Sequence, residues 1–410
     1  LEHTMKEKRI QKVDEGNLLT PKGFQAGGIH TGLRRSKLDF GILYSEQPAS
    51  CAAVYTKSHF QAAPLKVTQE SISHSNMVQA LVINSAVANA CTGEEGLQNA
   101  YQMRKWGAER LGIPTHYVAV ASTGVIGEQL PMEHIQYGCS NITYSSNKED
   151  AQAFQQSILT TDTLQKTSCY QVEVDGETVT LGGAAKGSGM VHPNMATMLG
   201  FITTDATIAS DHLQNALRGA VDQSFNQITI DGETSTNDMV LTLANHTVEH
   251  ETLQPEHPDW ENFVMTLNSL CEDLAKQIAR DGEGATKLVE VNVEGAWNED
   301  EAQVLAKNIV SSDLVKTAVY GEDANWGRIV VALGHSEARV NPELTSIRIG
   351  SSLVFSHGVA HPFSEEEVAK VLHQDVVQIN VSLQEGNGLG RAWGCDLTYD
   401  YVKINASYRT

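Results

Sequence analysis

Short apolar, β-branched runs alternate with amphipathic helical patterns along the whole chain, and that alternation sets the fold class as α/β. "VQALVIN" (78–84) and "YVAVAST" (117–123) read as buried strands. Between them, "EEGLQNAYQMRKWGAERLG" reads as an amphipathic helix closed by Gly112, with Pro114 just beyond. "YQVEVDGETVTLGG" (170–183) predicts a hairpin turning at Asp175-Gly176, a dipeptide that accepts the positive φ angles of a tight turn. Further on, "SDHLQNALRGAVDQSF" begins with a capping-type Ser210 and places Leu213, Leu217, Val221 and Phe225 on one face. "ENFVMTLNSLCEDLAKQIARDG" repeats the pattern with Phe263, Leu267, Leu270, Leu274 and Ile278. "VEVNVEG", "TAVYG", "RIVVALG" and "VVQINVSL" read as strands, and "SEEEVAKVLH" as a helix opened by a Ser364/Glu367 capping box. "HETLQPEHPDW" (250–260) reads as a surface loop.

The 410 residues suffice for two or three domains, or for one large two-part body. With 50 acidic against 29 basic residues the net charge is -21, which argues against a nucleic-acid partner and leaves room for a local basic pocket. The cysteines at 51, 91, 139, 169, 271 and 395 form no CxxC pair and have no histidine at zinc-ligand spacing. They are expected to be reduced core thiols. No apolar stretch approaches the length of a membrane span. The charged start lacks the apolar region of a signal peptide, and Leu1 to Thr4 ahead of Met5 is read as a cloning remnant. A cytoplasmic enzyme is the expectation.

Two glycine-rich segments invite nucleotide readings and fail them. "GGAAKGSGM" (182–190) has Lys-Gly-Ser where a Walker A loop needs Gly-Lys-Ser/Thr. "EGNGLGRAWG" (385–394) spaces Gly386, Gly388 and Gly390 wrongly for a dinucleotide fingerprint and has no long helix after it. Its glycines predict close backbone approach or positive φ.

"KGSGMVHPNMATML" (186–199) places Thr197 between a glycine- and proline-bearing approach and an apolar run. The plain reading is a structural threonine. The other is a nucleophile whose own α-amine serves as general base, which requires the Ala196–Thr197 bond to be cut. A strained approach would let the Thr197 hydroxyl attack the Ala196 carbonyl, shift the acyl group from N to O, and leave an ester for hydrolysis. Such a nucleophile needs an oxyanion hole, and "ASTGVIGEQLP" (121–131) ends a strand at Thr123-Gly124, which is either that hole or a simple turn. Lys186 would lower the Thr197 amine pKa or bind a carboxylate, unless it is a solvated surface lysine. His192 is tempting as a base, but the adjacent Pro193 suggests a turn.

Together with "STGVIG" (122–127), "LTTDT" (159–163), "DGETSTNDMV" (231–240), "RDGEGATK" (280–287), "DANWGRI" (323–329) and the ending "EGNGLGRAWGCDLTYDYVKINASYRT", these segments carry a resemblance. The chain resembles the bifunctional glutamate N-acetyltransferase/ornithine acetyltransferase family of arginine biosynthesis over residues 9 to 410. The resemblance implies a layered αββα-type sandwich with an N-terminal threonine nucleophile on a central strand. It implies self-cleavage between Ala196 and Thr197 into an α chain (5–196) and a β chain (197–410), assembled as α2β2. It implies Thr197 as nucleophile, Thr123 and Gly124 as oxyanion hole, and Thr160, Lys186, Thr197, Glu283, Asn405 and Thr410 as substrate contacts. Thr161 and Thr163 share the short run with Thr160 and compete with it for that role. The implied reaction moves an acetyl group from N2-acetylornithine to glutamate with no cofactor or metal, and acetyl-CoA is a second candidate donor.

The rival is a self-processing N-terminal-nucleophile amidohydrolase or aminopeptidase, which would pass the acyl group to water. Acetyl transfer to glutamate outrunning hydrolysis of N2-acetylornithine separates the two.

Overall fold

The structure is a computed structural model and describes residues 10–192 and 198–408. The first half alternates strands and helices: β1 (Ile10–Lys12), β2 (Phe24–Ile29), β3 (Phe40–Tyr55), α1 (Ala63–Ser75), β4 (Met77–Asn84), α2 (Gly93–Leu111), β5 (Val118–Ser122), α3 (Met132–Asn141) and α4 (Lys148–Ser157). The middle comprises β6 (Lys166–Val174), β7 (Glu177–Lys186), β8 (Leu199–Thr204), α5 (Ser210–Gln223), β9 (Met239–Ala244) and α6 (Trp260–Arg280). The last part holds β10 (Leu288–Ala296), α7 (Glu299–Ser311), α8 (Asp313–Tyr320), α9 (Trp326–Gly334), β11 (Ser346–Ile349), β12 (Ser352–Ser356) and β13 (Val359–Ala360). It ends with α10 (Glu365–Leu372), β14 (Val376–Ser382), β15 (Gly388–Cys395) and α11 (Tyr399–Ser407).

Nine strands pair in the order β1-β6-β7-β8-β9-β3-β4-β5, with β2 on the first half of β3. Strand β3 serves two layers. Phe40 to Tyr44 pairs with β2 and β4, whereas Ser50 to Tyr55 pairs with β9. The β3–β4 register slips between Tyr44 and Ala49, and such a bulge bends a strand.

Side-chain alternation then assigns the faces. In β4, Ala80 and Val82 pack with residues of α1 and α2, while Leu81 and Ile83 point the other way. In β9, Val240 and Ala244 pack with α5 and α6, while Leu241 and Leu243 join Leu81 and Ile83 in one cluster. The result is helix, sheet, sheet, helix. Because both faces of the central strands are covered, they read as unbroken apolar runs. Phe154 of α4 closes an edge of the inner layer, edge-to-face on Phe201 with ring centroids 5.9 Å apart.

The remaining strands form a second sheet, β13-β12-β11-β14-β10-β15, whose core it shares with α7 to α10. It joins the sandwich through β15: Ala392 belongs to the C-terminal core, but Trp393 and Cys395 belong to the cluster built on α5 and α6. Trp393 is fully buried, and its Nε1 donates to Glu290 Oε2 at 2.9 Å.

The Asp175-Gly176 hairpin forms, with φ of 53° and 81°, and Gly112 closes α2 with φ of 66°. Four expectations are corrected. "TAVYG" lies in and just after α8, where Ser312 caps the helix by accepting from Val315 N–H and residues 315, 316, 318 and 319 are buried. "RIVVALG" lies in α9, which buries Ile329, Ala332 and Leu333 and exposes Val331. In both, a helical burial period outweighs β-branched composition. Ser210 sits inside α5 rather than at its cap, and its hydroxyl donates to the Asn76 carbonyl at 2.7 Å. Five cysteines are buried free thiols, but Cys91 is exposed. The 250–260 loop is mostly exposed, with Leu253 and His257 buried. Among the described residues no helix is long and apolar enough to cross a membrane.

Candidate functional site

A cleft of about 390 Å³ opens where the ends of the two sheet layers meet α11. Thr123 and Gly124 reach it from the end of β5, and Lys186 from the last position of β7. Met198 precedes β8 and Asp238 precedes β9. Thr160 and Thr161 follow α4, Glu283 follows α6, and Asn405 comes from α11. Residues far apart in sequence thus line one hollow. Ala196, Thr197 and Thr410 lie outside the described residues. A larger groove of about 740 Å³ lies over β10, β11, β14 and β15 near Arg348 and Arg391, and none of the expected site residues lines it.

Gly124 is placed by necessity. Its φ is 132°, and a Cβ there would stand 2.1 Å from the Ala86 carbonyl carbon. The N–H groups on either side are taken, Thr123 N–H by Asn84 O at 3.1 Å and Val125 N–H by Ala86 O at 2.9 Å. Among the described residues no backbone carbonyl takes the Gly124 N–H.

Lys186 is buried, which rules out the solvated reading. Its Nζ donates to Thr160 Oγ1 at 3.0 Å and to Thr123 Oγ1 at 3.2 Å. Burial lowers its pKa, while the negative charge of Asp162 works the other way. Asp162 in turn accepts from Gly187 N–H and Lys166 Nζ, both at 2.7 Å, and from Thr160 N–H at 3.1 Å. Burial alone would raise its pKa, but Lys166 and Lys186 hold it well below the usual carboxylate range. Lys166 also pairs with Asp281 at 2.6 Å. Of the competing threonines, Thr163 gives its hydroxyl to Asp281 and Thr160 faces Lys186.

Glu283 accepts from Asn405 Nδ2 at 2.6 Å. It packs so closely on Gly189 that a Cβ there would meet its Oε1 at 2.3 Å. Asp231 accepts from Met190 N–H at 2.7 Å, Val191 N–H at 2.9 Å and the Tyr401 hydroxyl at 3.1 Å. The segment entering the Thr197 region is therefore held by a carboxylate. His192 does not line the cleft. Its Nδ1 lies 2.9 Å from Thr229 Oγ1, and burial, with the Lys307 charge adding to it, takes its pKa down to about 4.

Asp231, Asp238, Ser235 and Tyr401 line the cleft without having been singled out from sequence. They lie in the quoted "DGETSTNDMV" and C-terminal segments, but no local spacing marks them as cleft residues.

The layered fold and a strand-end cleft of hydroxyl, lysine and carboxylate groups define an acyltransferase. The ArgJ family model matches residues 25–410. The chain belongs to the ArgJ family and is an acetyltransferase of arginine biosynthesis. It is 60% identical over 402 residues to the arginine biosynthesis bifunctional protein ArgJ of Geobacillus kaustophilus, covering 98% of both chains. It is 57% identical over 406 residues to the protein of the same name from Bacillus subtilis, covering 99% of both. Among solved structures, a Bacillus halodurans ArgJ chain is 56% identical, covers 46% of this chain and 98% of its own, and has a TM-score of 0.45. An ornithine acetyltransferase chain from Mycobacterium tuberculosis, complexed with ornithine, is 31% identical, covers 46% of this chain and all of its own, and has a TM-score of 0.43.

Proposed function

We propose that this enzyme transfers the acetyl group of N2-acetylornithine to glutamate through an acetyl ester on Thr197, and that Thr197 is freed by self-cleavage of the Ala196–Thr197 bond. One observation carries the reading: Thr123, Gly124, Thr160, Lys186, Glu283 and Asn405 converge on a single cleft, and Met198, the residue after Thr197, forms part of its wall.

The Thr197 amine takes the hydroxyl proton as Oγ attacks the acetyl carbonyl. The Thr123 hydroxyl and the Gly124 N–H receive the developing oxyanion. Lys186 already donates to Thr123 Oγ1, so that hydroxyl's own proton is available for the oxyanion. Ornithine leaves with the proton returned by the amine. Glutamate then enters, and its amine attacks the ester carbon. The Thr197 amine takes the proton it loses and passes it to Thr197 Oγ as the Oγ–acetyl bond breaks. Lys186 is suited to the α-carboxylate common to both amino acids. Glu283, steadied by Asn405, is suited to the ornithine cation. Thr160 and Thr410 complete the contacts.

On this reading the chains are 5–196 and 197–410, paired as α2β2 in the cytoplasm. The bifunctional names of the relatives favour acetyl-CoA as a second donor. The test is intact mass under denaturing conditions, followed by acetyl transfer from N2-acetylornithine to glutamate. Two fragments meeting at Ala196 and Thr197 are expected, with transfer exceeding hydrolysis. A folded Thr197→Ala chain that is cut at the same bond, or that still transfers, overturns the reading.

A further inference from the structure

Lys166 opens β6 behind the cleft and is only 1% exposed. Its Nζ donates to Asp162 Oδ1 at 2.7 Å, to Asp281 Oδ2 at 2.6 Å and to the Leu164 carbonyl at 3.3 Å. Every proton of the ammonium group is therefore placed. The two carboxylates are filled as well. Asp162 accepts from Gly187 N–H at 2.7 Å and Thr160 N–H at 3.1 Å. Asp281 accepts from Thr163 N–H at 3.0 Å, from Leu164 N–H at 3.2 Å and from the Thr163 hydroxyl. Asp162, Lys166 and Asp281 do not line the cleft. Charges withdrawn from water this completely often stabilise a fold no better than apolar residues of the same volume. What such a triad adds is a fixed geometry.

That geometry reaches both ends of the cleft. Lys186 directly precedes Gly187 and donates to Thr160 Oγ1 at 3.0 Å, so Asp162 holds the backbone on both sides of this contact. On the other flank, the Asp281 carbonyl accepts from the Ser188 hydroxyl at 2.7 Å, and Glu283 N–H donates to the Ser188 carbonyl at 2.8 Å. The end of β7, the loop after α4 and the loop after α6 are thus tied to one buried frame. Lys186 stands on one side of it and Glu283 on the other.

We propose that Lys166, through Asp162 and Asp281, fixes the span between Lys186 and Glu283 and so selects the length of the amino acid that bridges them. The inference rests on the roles given to those two residues in the transfer reading above. Lys166 touches no substrate and acts as a positioning residue. N2-acetylornithine has an α-carboxylate for Lys186 and a side-chain ammonium for Glu283. N2-acetyl-lysine carries the same groups on a chain longer by a methylene, and N2-acetyl-2,4-diaminobutyrate on one shorter by a methylene. Anchors of opposite charge held at a set separation penalise both homologues, whereas anchors that can shift accommodate them.

The experiment measures kcat/KM for acetyl transfer to glutamate from these three donors, with melting temperatures, for wild type, Lys166→Met and Ser188→Ala. Wild type should prefer N2-acetylornithine to either homologue by ~10–200-fold, the range for one methylene. In Lys166→Met, which keeps the bulk of the stem and removes the charge, that ratio should fall ~10-fold or more through a higher KM for N2-acetylornithine. A purely structural role would lower the melting temperature and the yield of active enzyme but scale all three donors alike. A folded Lys166→Met enzyme with the wild-type ratio overturns the proposal and leaves acetyl transfer standing, as does a wild type that takes the three donors equally. A folded wild-type chain that transfers nothing from N2-acetylornithine removes both. Should Lys166→Met not fold, Ser188→Ala decides, since it cuts the tie to Asp281 and leaves the triad's charges paired: a ratio lowered severalfold supports the frame, and an unchanged ratio overturns it.

Discussion

Lys186 Nζ donates to Thr123 Oγ1 at 3.2 Å, and this bond joins the end of β7 in one sheet layer to the end of β5 in the other. The two layers are held apart by an apolar filling of Leu81, Ile83, Phe201 and Leu241, so only their ends present polar groups to one another. The cleft therefore belongs to neither layer. Its electrostatics come from the same junction, because Asp162 and Lys166 stand behind Lys186 in a buried ion network.

Lys186→Met keeps the side-chain bulk and removes the charge. KM for both N2-acetylornithine and glutamate should rise ~10–100-fold, the scale of one hydrogen bond to a charged group. Steady-state kinetics on each substrate check this. An unchanged KM for both would dismiss the carboxylate role.

Thr123→Val removes the hydroxyl that the proposed mechanism assigns to the oxyanion and keeps the shape. It should lower kcat about 10²–10³-fold with little change in melting temperature. Gly124→Ala should differ, because its Cβ would collide with the Ala86 backbone at a φ of 132°. That variant should lose stability as well as activity, which thermal melting separates from the Thr123 case.

His192 links pH to stability. Its folded pKa, about 4, lies below the ordinary 6.5, so between those values the unfolded chain binds more protons. This contribution is fully present above pH 6.5 and is lost as pH falls towards 4. The melting temperature of His192→Gln should therefore fall less than that of wild type across this window. Identical slopes would count against the burial of a neutral imidazole.

Trp393 joins the C-terminal sheet to the sandwich. Trp393→Ala should cost about 3–5 kcal/mol, because it leaves a cavity between β15 and α6 and strips Glu290 of a partner. Urea unfolding measures it. A loss under about 1 kcal/mol would mean that the interface repacks.

Much of this was legible before any coordinates. The run 78–84 forms the strand its composition predicts, with apolar neighbours on both faces. Asp175-Gly176 and Gly112 act through their own backbone angles, so their turn and cap survive in the fold. The apolar faces of α5 and α6 also carried through. Residues 317–320 and 328–334 did not, because composition favoured strands while burial at helical spacing depended on partners in a sheet far along the chain. The motifs quoted from sequence contain Thr123, Thr160, Lys186, Glu283 and Asn405, but each is locally an ordinary loop or strand-end residue. Only the bend of β3 and the return of α11 bring them within reach of one another. Local backbone chemistry is written in neighbouring residues. A cleft is a meeting of distant ones, and its pKa shifts arise from burial that no single segment possesses.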